Sequence, residues 1–129
     1  MSIAILRLLF DFGLLVLIWI VQRIVYPGFL HYNSKNLINW HKEYTSRFTS
    51  IVLPLMLGQL CISIYQLINE INLYTVLSIM IIIVIWVSTF VQFVPIHAQI
   101  SKGKSSQKML NSLVKKNWIR TFLWTALFL

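Results

Sequence analysis

Leu73 to His97 reads LYTVLSIMIIIVIWVSTFVQFVPIH. From Leu73 to Val94 this stretch carries no charged residue. As a helix rising ~1.5 Å per residue it crosses a ~30 Å hydrocarbon core. The remaining chain reads as partners for that span and as loops that orient it. Two further long apolar segments precede it, at about 3–26 and 48–68, and a shorter one follows at about 117–129. The expected fold is therefore all-α: an integral membrane four-helix bundle of up-down topology, in a single domain over 1–129.

Composition points the same way. Hydrophobic residues make up 58% of the 129 and charged residues 11%, against ~25% charged in soluble domains. So few charges cannot cover a soluble surface, and lipid must stand in for water over most of it. The net charge of +8 comes from eleven Lys and Arg against three acids. Most of the basic residues cluster in two loops, as an orientation signal does, so no nucleic acid partner is expected. The lone Cys61 excludes a disulfide within the chain and is expected to be a buried, inert thiol.

In the first segment Arg7 and Asp11 lie four apart, on one helix face, where they can pair. Pro27-Gly28 is expected to stop that helix. Asn33-Ser34 can cap the next one. Its first part, about 34–47, is an amphipathic entry to the membrane with Leu37, Ile38, His41, Tyr44, Thr45 and Phe48 on the inner face. Pro54 sits within the second span, and Met56, Gln59, Ser63 and Gln66 form a mildly polar stripe suited to helix–helix packing. The short turn from Asn69 to Asn72 makes spans two and three an antiparallel hairpin. Gly103 is expected to end the third helix. A basic loop follows, about 98–116 in all, with Ser105 or Ser106 as the cap of the last helix. Both basic loops are expected in the cytoplasm and both termini outside, with the chain in the inner membrane. Trp40 and Trp118 then form an aromatic belt.

Four alternating spans bring Tyr26, His31, His41, Tyr44, Arg47, Gln92, His97, Trp118 and Arg120 to one depth, at the basic end. His41, His97 and Tyr44 are the candidate catalytic groups, since imidazole and phenol move protons. Arg47, Arg120, Gln92 and Trp118 are candidates for holding a substrate or anion. His41 and His97 are also the residues that could ligate a metal, or less expectedly a haem, although no HxxxH or HExxH spacing supports it. No cofactor is expected. The bilayer is the first expected partner and a small hydrophobic or quinone-like aromatic ligand the second; self-association is left open.

Tyr26-Pro27, the run from His41 to Arg47 (HKEYTSR), Pro54-Leu-Met56, the run from Val91 to His97 (VQFVPIH) and the run from Asn117 to Thr121 (NWIRT) together resemble a bacterial family of uncharacterised four-helix membrane proteins. That family is similar, more distantly, to the anthrone-oxygenase-like membrane proteins. The resemblance implies oxygenation of a flat hydrophobic aromatic substrate without a metal or flavin. It also implies a pocket lined by His41, Tyr44, Arg47, Gln92, His97 and Arg120. Three functions are therefore carried forward: a membrane-embedded oxidoreductase or oxygenase-like enzyme, a non-enzymatic accessory subunit, and a small proton-coupled transporter using Asp11.

Overall fold

A computed structural model describes residues 2–104 and 106–129. Over the described residues the chain is an all-α up-down bundle of four helices: α1 (Ile3–His31), α2 (Ser34–Asn69), α3 (Leu73–Ser101) and α4 (Gln107–Phe128). The first three are long and apolar enough to cross a membrane. At ~1.5 Å per residue, the 22 residues of α4 extend about 33 Å.

Each helix start is capped by a polar side chain. Ser2 Oγ accepts from Ile5 N–H at 3.2 Å and Asn33 Oδ1 from Asn36 N–H at 2.8 Å. Asn72 and Thr75 form a reciprocal capping box at the start of α3. Ser106 Oγ accepts from Met109 N–H at 3.2 Å; Ser105, the other expected cap, lies outside the described residues.

The surface is the inverse of a soluble bundle's. Ile24, Val91 and Phe122 are each more than 60% exposed, whereas Arg7, Asp11, Gln22, His41, Gln59, Asn117 and Arg120 are buried. Polar groups face inward because in lipid only a neighbouring helix can satisfy them. Cys61, expected inside, is exposed. In a bundle bathed by lipid an apolar run has no reason to turn its thiol inward.

Two expected boundaries fall elsewhere. Pro27-Gly28 does not end α1, which continues to His31. Just before the proline the helix widens into a π-turn over Val21–Val25, with Tyr26 N–H reaching Val21 O. The wider turn relieves the clash between the proline ring and the preceding carbonyls. The same device precedes Pro95: Thr89–Phe93 forms a π-turn, Val94 N–H reaches Thr89 O, and α3 runs on to Ser101. The amphipathic entry at 34–47 is continuous with the second span in one 36-residue helix, and α3 and α4 take up both flanks of the basic loop, to Ser101 and from Gln107. Gly103, at φ 76°, closes α3: its N–H bonds Ile100 O at 3.0 Å and Lys104 N–H bonds Gln99 O at 2.9 Å.

Helices α1 and α2 approach closely at Gly58, where a Cβ would collide with the ring of Phe10. Gly58→Ile is expected to cost about 1–3 kcal/mol through overpacking. Combining it with Phe10→Ala should recover part of the loss, read as unfolding in detergent against SDS.

Candidate functional site

The two π-turns decide what faces the bundle axis near its basic end. Each adds a residue to the turn and so shifts the helix phase by about 100°. After the first, Tyr26 points inward and is 1% exposed; at the end of the second, Phe93 does so and His97 follows one turn later. From α2, His41 and Tyr44 arrive buried, and from α4, Asn117, Arg120, Thr121 and Trp124.

These side chains form one hydrogen-bonded row. Arg120 Nη2 donates to Tyr26 Oη at 3.3 Å. Tyr26 Oη lies 3.0 Å from His97 Nε2, His97 Nδ1 lies 2.7 Å from His41 Nε2, and His41 Nδ1 lies 2.8 Å from Ser101 Oγ. In one proton assignment Tyr26 donates to His97, His97 Nδ1–H to His41, and His41 Nδ1–H to Ser101. In the other, Ser101 donates to His41, His41 Nε2–H to His97, and His97 Nε2–H to Tyr26. Both assignments use the same heavy-atom contacts and keep both imidazoles neutral. Thr45 Oγ1 donates to the His41 carbonyl at 2.7 Å and holds that turn of α2.

Beside the row is a cavity of about 300 Å³. Its polar edge is Tyr26, Tyr44, Thr45, Thr89, His97, Ser101 and Arg120; its floor and walls are Leu17, Ile18, Phe48, Val52, Met56, Phe93 and Trp124. His41 does not line it, so His97 is the imidazole at the cavity and His41 stands behind it. The exposed lining residues are Thr49, Val94 and Ala98. The cavity therefore opens sideways between α2 and α3, onto the surface where lipid lies. Ser101, at the far end of the row, sits beside the polar turn after α3.

Arg120 is 6% exposed. Its Nε and Nη2 donate to Asn117 Oδ1 at 3.0 and 2.8 Å, its Nη1 to Thr89 Oγ1 at 3.0 Å, and its Nη2 also to Tyr26. Those bonds occupy four of its five N–H groups. The guanidinium lies over the Phe93 ring, 3.8 Å from the centroid, with Trp124 at 5.8 Å. Asn117 is itself fixed by donating to Gln22 Oε1 at 3.0 Å, an acceptor shared with Thr121 Oγ1 at 3.0 Å.

Of the residues singled out in the sequence, Tyr26, His41, His97, Tyr44 and Arg120 come together here. Four others do not. Arg47 has its side chain 75% exposed and pairs with Glu43 at 3.6 Å on the surface. Gln92 accepts from Ser88 of the same helix at 3.0 Å. Trp118 packs edge-on against Trp19 and stacks on Phe122. His31 is exposed. Arg47→Ala is accordingly expected to leave binding of an acidic aromatic ligand at this cavity unchanged, whereas Arg120→Ala should weaken it; a binding titration on the two variants checks this. Sequence reasoning passed over Ser101, Thr89, Phe93 and Trp124 as site residues. The spacing of Arg120 and Trp124, four apart, was the available signal for one of them.

The donor set does not fit a metal held by both imidazoles. Among the described residues no third His, Cys, Asp or Glu joins the pair. Their facing nitrogens, 2.7 Å apart, are closer than the roughly 3.3 Å separating two ligands at 2.0–2.1 Å on one tetrahedral ion. They bond to each other, with no room for a haem iron between them.

A second polar cluster lies toward the opposite end. Arg7 Nε contacts both carboxylate oxygens of Asp11 at 2.9 Å, and Arg7 Nη1 donates to Gln66 Oε1 at 2.9 Å. Gln59 Nε2 donates to Asp11 Oδ1 at 2.8 Å, and Gln59 Oε1 accepts from Trp124 Nε1 at 3.2 Å. The α2 stripe is thus the glue expected of it, and through Trp124 it reaches the cavity floor.

Comparison with family models, curated proteins and solved structures found no match to this chain.

Proposed function

We propose that the protein is a membrane-embedded enzyme of oxygenase-like type, which removes a proton from a flat, lipophilic ketone or phenol drawn from the bilayer. The observation that carries this reading is the row Tyr26–His97–His41–Ser101, which borders an apolar, laterally open cavity and ends at Ser101, where the cavity margin meets the polar turn after α3. His97 is the general base at the cavity edge and acts through Tyr26: Tyr26 Oη takes the substrate proton as it gives its own to His97 Nε2, because His97 Nδ1 is held by His41. The proton on His97 Nδ1 passes to His41 Nε2, His41 Nδ1 gives its own to Ser101 Oγ, and the Ser101 hydroxyl proton leaves to water at the turn after α3; the row is then in the second assignment and returns to the first when the ring protons re-exchange with water. Arg120 stabilises the oxyanion left on the substrate. Phe93, Trp124 and Tyr44 supply ring faces for a planar body.

The resemblance to anthrone-oxygenase-like membrane proteins suggests the reaction beyond this step. An anthrone loses the proton from its central carbon, and the carbanion reduces dioxygen. One oxygen atom stays on the ring as the second quinone oxygen and the other departs as water. The chain's own part is to bind, orient and deprotonate.

In this reading the bundle lies in the inner membrane of the cell, with the basic ends of the helices and the His41–His97 pair in the cytoplasmic leaflet and both termini outside. The transporter reading has less support. Asp11 is engaged by Arg7 and Gln59, which suits an anchor better than a group that must load and release protons.

The test is deuterium exchange into the enolisable C–H of anthrone, followed anaerobically by NMR with the protein in nanodiscs. Exchange well above that of empty discs is expected; an equal rate would refute the proposal.

A further inference from the structure

The chain contains three acidic residues, and each is accounted for away from Arg120. Asp11 is bound by Arg7 and Gln59. Glu43 is on the surface beside Arg47. Glu70 is exposed in the turn between α2 and α3. Arg120 is thus a buried guanidinium with no carboxylate to balance it among the described residues. Its hydrogen bonds go to neutral oxygens and its face lies on aromatic rings, and one Nη1 hydrogen is left over. A buried, uncompensated cation in an apolar wall is costly. Across the same cavity, Tyr44 is 6% exposed, and its Oη has no hydrogen-bond partner among the described residues. A buried phenol without a partner also calls for an acceptor. Both needs are met by one kind of group.

We propose that the cavity selects its ligand in the ionised form: a planar aromatic phenolate or enolate whose oxygen is held by Arg120 and Tyr44. The inference rests on reading this cavity as a ligand site, but not on His97 acting as a base. Tyr44 stacks on Phe48 and His41, so its hydroxyl is presented from a fixed ring. Arg120 is fixed by Asn117 and Thr89. The anion site is therefore preorganised, and a neutral isostere of the ligand leaves both donors unanswered.

The experiment uses an alkylated 7-hydroxycoumarin, whose phenol and phenolate absorb at different wavelengths, titrated in nanodiscs with and without the full-length protein. The wild type should lower the apparent pKa of the bound phenol by about one to three units relative to empty discs, as a neighbouring guanidinium does for an oxygen acid. Arg120→Met should abolish the shift, Arg120→Lys should retain most of it, and Tyr44→Phe should reduce it. The 7-methoxy analogue, which cannot ionise, should bind wild type and Arg120→Met alike and so reports whether the cavity survives. An unchanged or raised pKa with the wild type would overturn the proposal whatever the variants do. So would a full shift retained by Arg120→Met. Failure here with anthrone exchange intact would remove the anion site and leave the proton-abstraction reading standing. Loss of exchange with the coumarin shift intact would do the reverse.

Discussion

His97→Ala is expected to slow anthrone proton exchange by about 10²–10⁴-fold, the usual contribution of a positioned general base. His97 is the imidazole that both lines the cavity and bonds His41 and Tyr26. No other imidazole takes its place, since His41 lies behind it and His31 is exposed. His41→Ala should give a smaller loss, because the base remains while its outlet to Ser101 is cut. Tyr26→Phe should lie between them: it keeps the ring packed on Phe93 but severs His97 from Arg120. Yield and unfolding of each variant, measured beside the exchange rate, separate a chemical effect from a folding one. If His97→Ala exchanged at the wild-type rate, the base would have to be another group.

The largest effect on stability is expected from Asp11→Ala. Asp11 is 3% exposed and Arg7 2%. Removing the carboxylate leaves a buried guanidinium with only Gln66 and the Tyr74 ring, 5.3 Å from the Arg7 guanidinium carbon. Breaking a buried pair from one side costs about 3–5 kcal/mol, whereas replacing both members with apolar residues is often near neutral. The pair Arg7→Leu with Asp11→Leu should therefore be more stable than Asp11→Ala alone, by SDS titration or thermal unfolding in mild detergent. Gln59 adds a second consequence. Without Asp11 its amide loses an acceptor, and its hold on Trp124 Nε1 loosens at the cavity floor. Ligand affinity should thus fall in Asp11→Ala although the substitution is remote from the row.

Much of this was legible in the residues. An uncharged run such as Leu73–Val94 has one stable environment, so the spans and their alternation follow from hydropathy and the short turns. The four-residue spacing of Arg7 and Asp11 sufficed to pair them. Counting crossings placed His41, His97, Tyr44 and Arg120 at one depth. What counting crossings cannot give is azimuth. The π-turns at Val21–Val25 and Thr89–Phe93 advance each helix by a residue, so a regular 3.6-residue wheel misplaces everything after them. Gln92 was favoured for its polarity alone, whereas Phe93, the last residue of the second π-turn, is the one turned inward. Arg47 fails for a related reason: three residues after Tyr44 on a regular helix, it has rotated far enough to reach the surface and Glu43. Cys61 shows the limit of reading an apolar run as a core. Where lipid surrounds the fold, outward and inward apolar faces look the same.

The relay itself is best tested by ¹⁵N NMR of histidine-labelled protein in bilayers, with His31→Gln removing the exposed third imidazole. A through-hydrogen-bond correlation between His41 Nε2 and His97 Nδ1 is expected, and Ser101→Ala should keep it while shifting the resonance of the outer nitrogen, His41 Nδ1. Two rings that show no mutual correlation and titrate independently, as free imidazoles do, would contradict it.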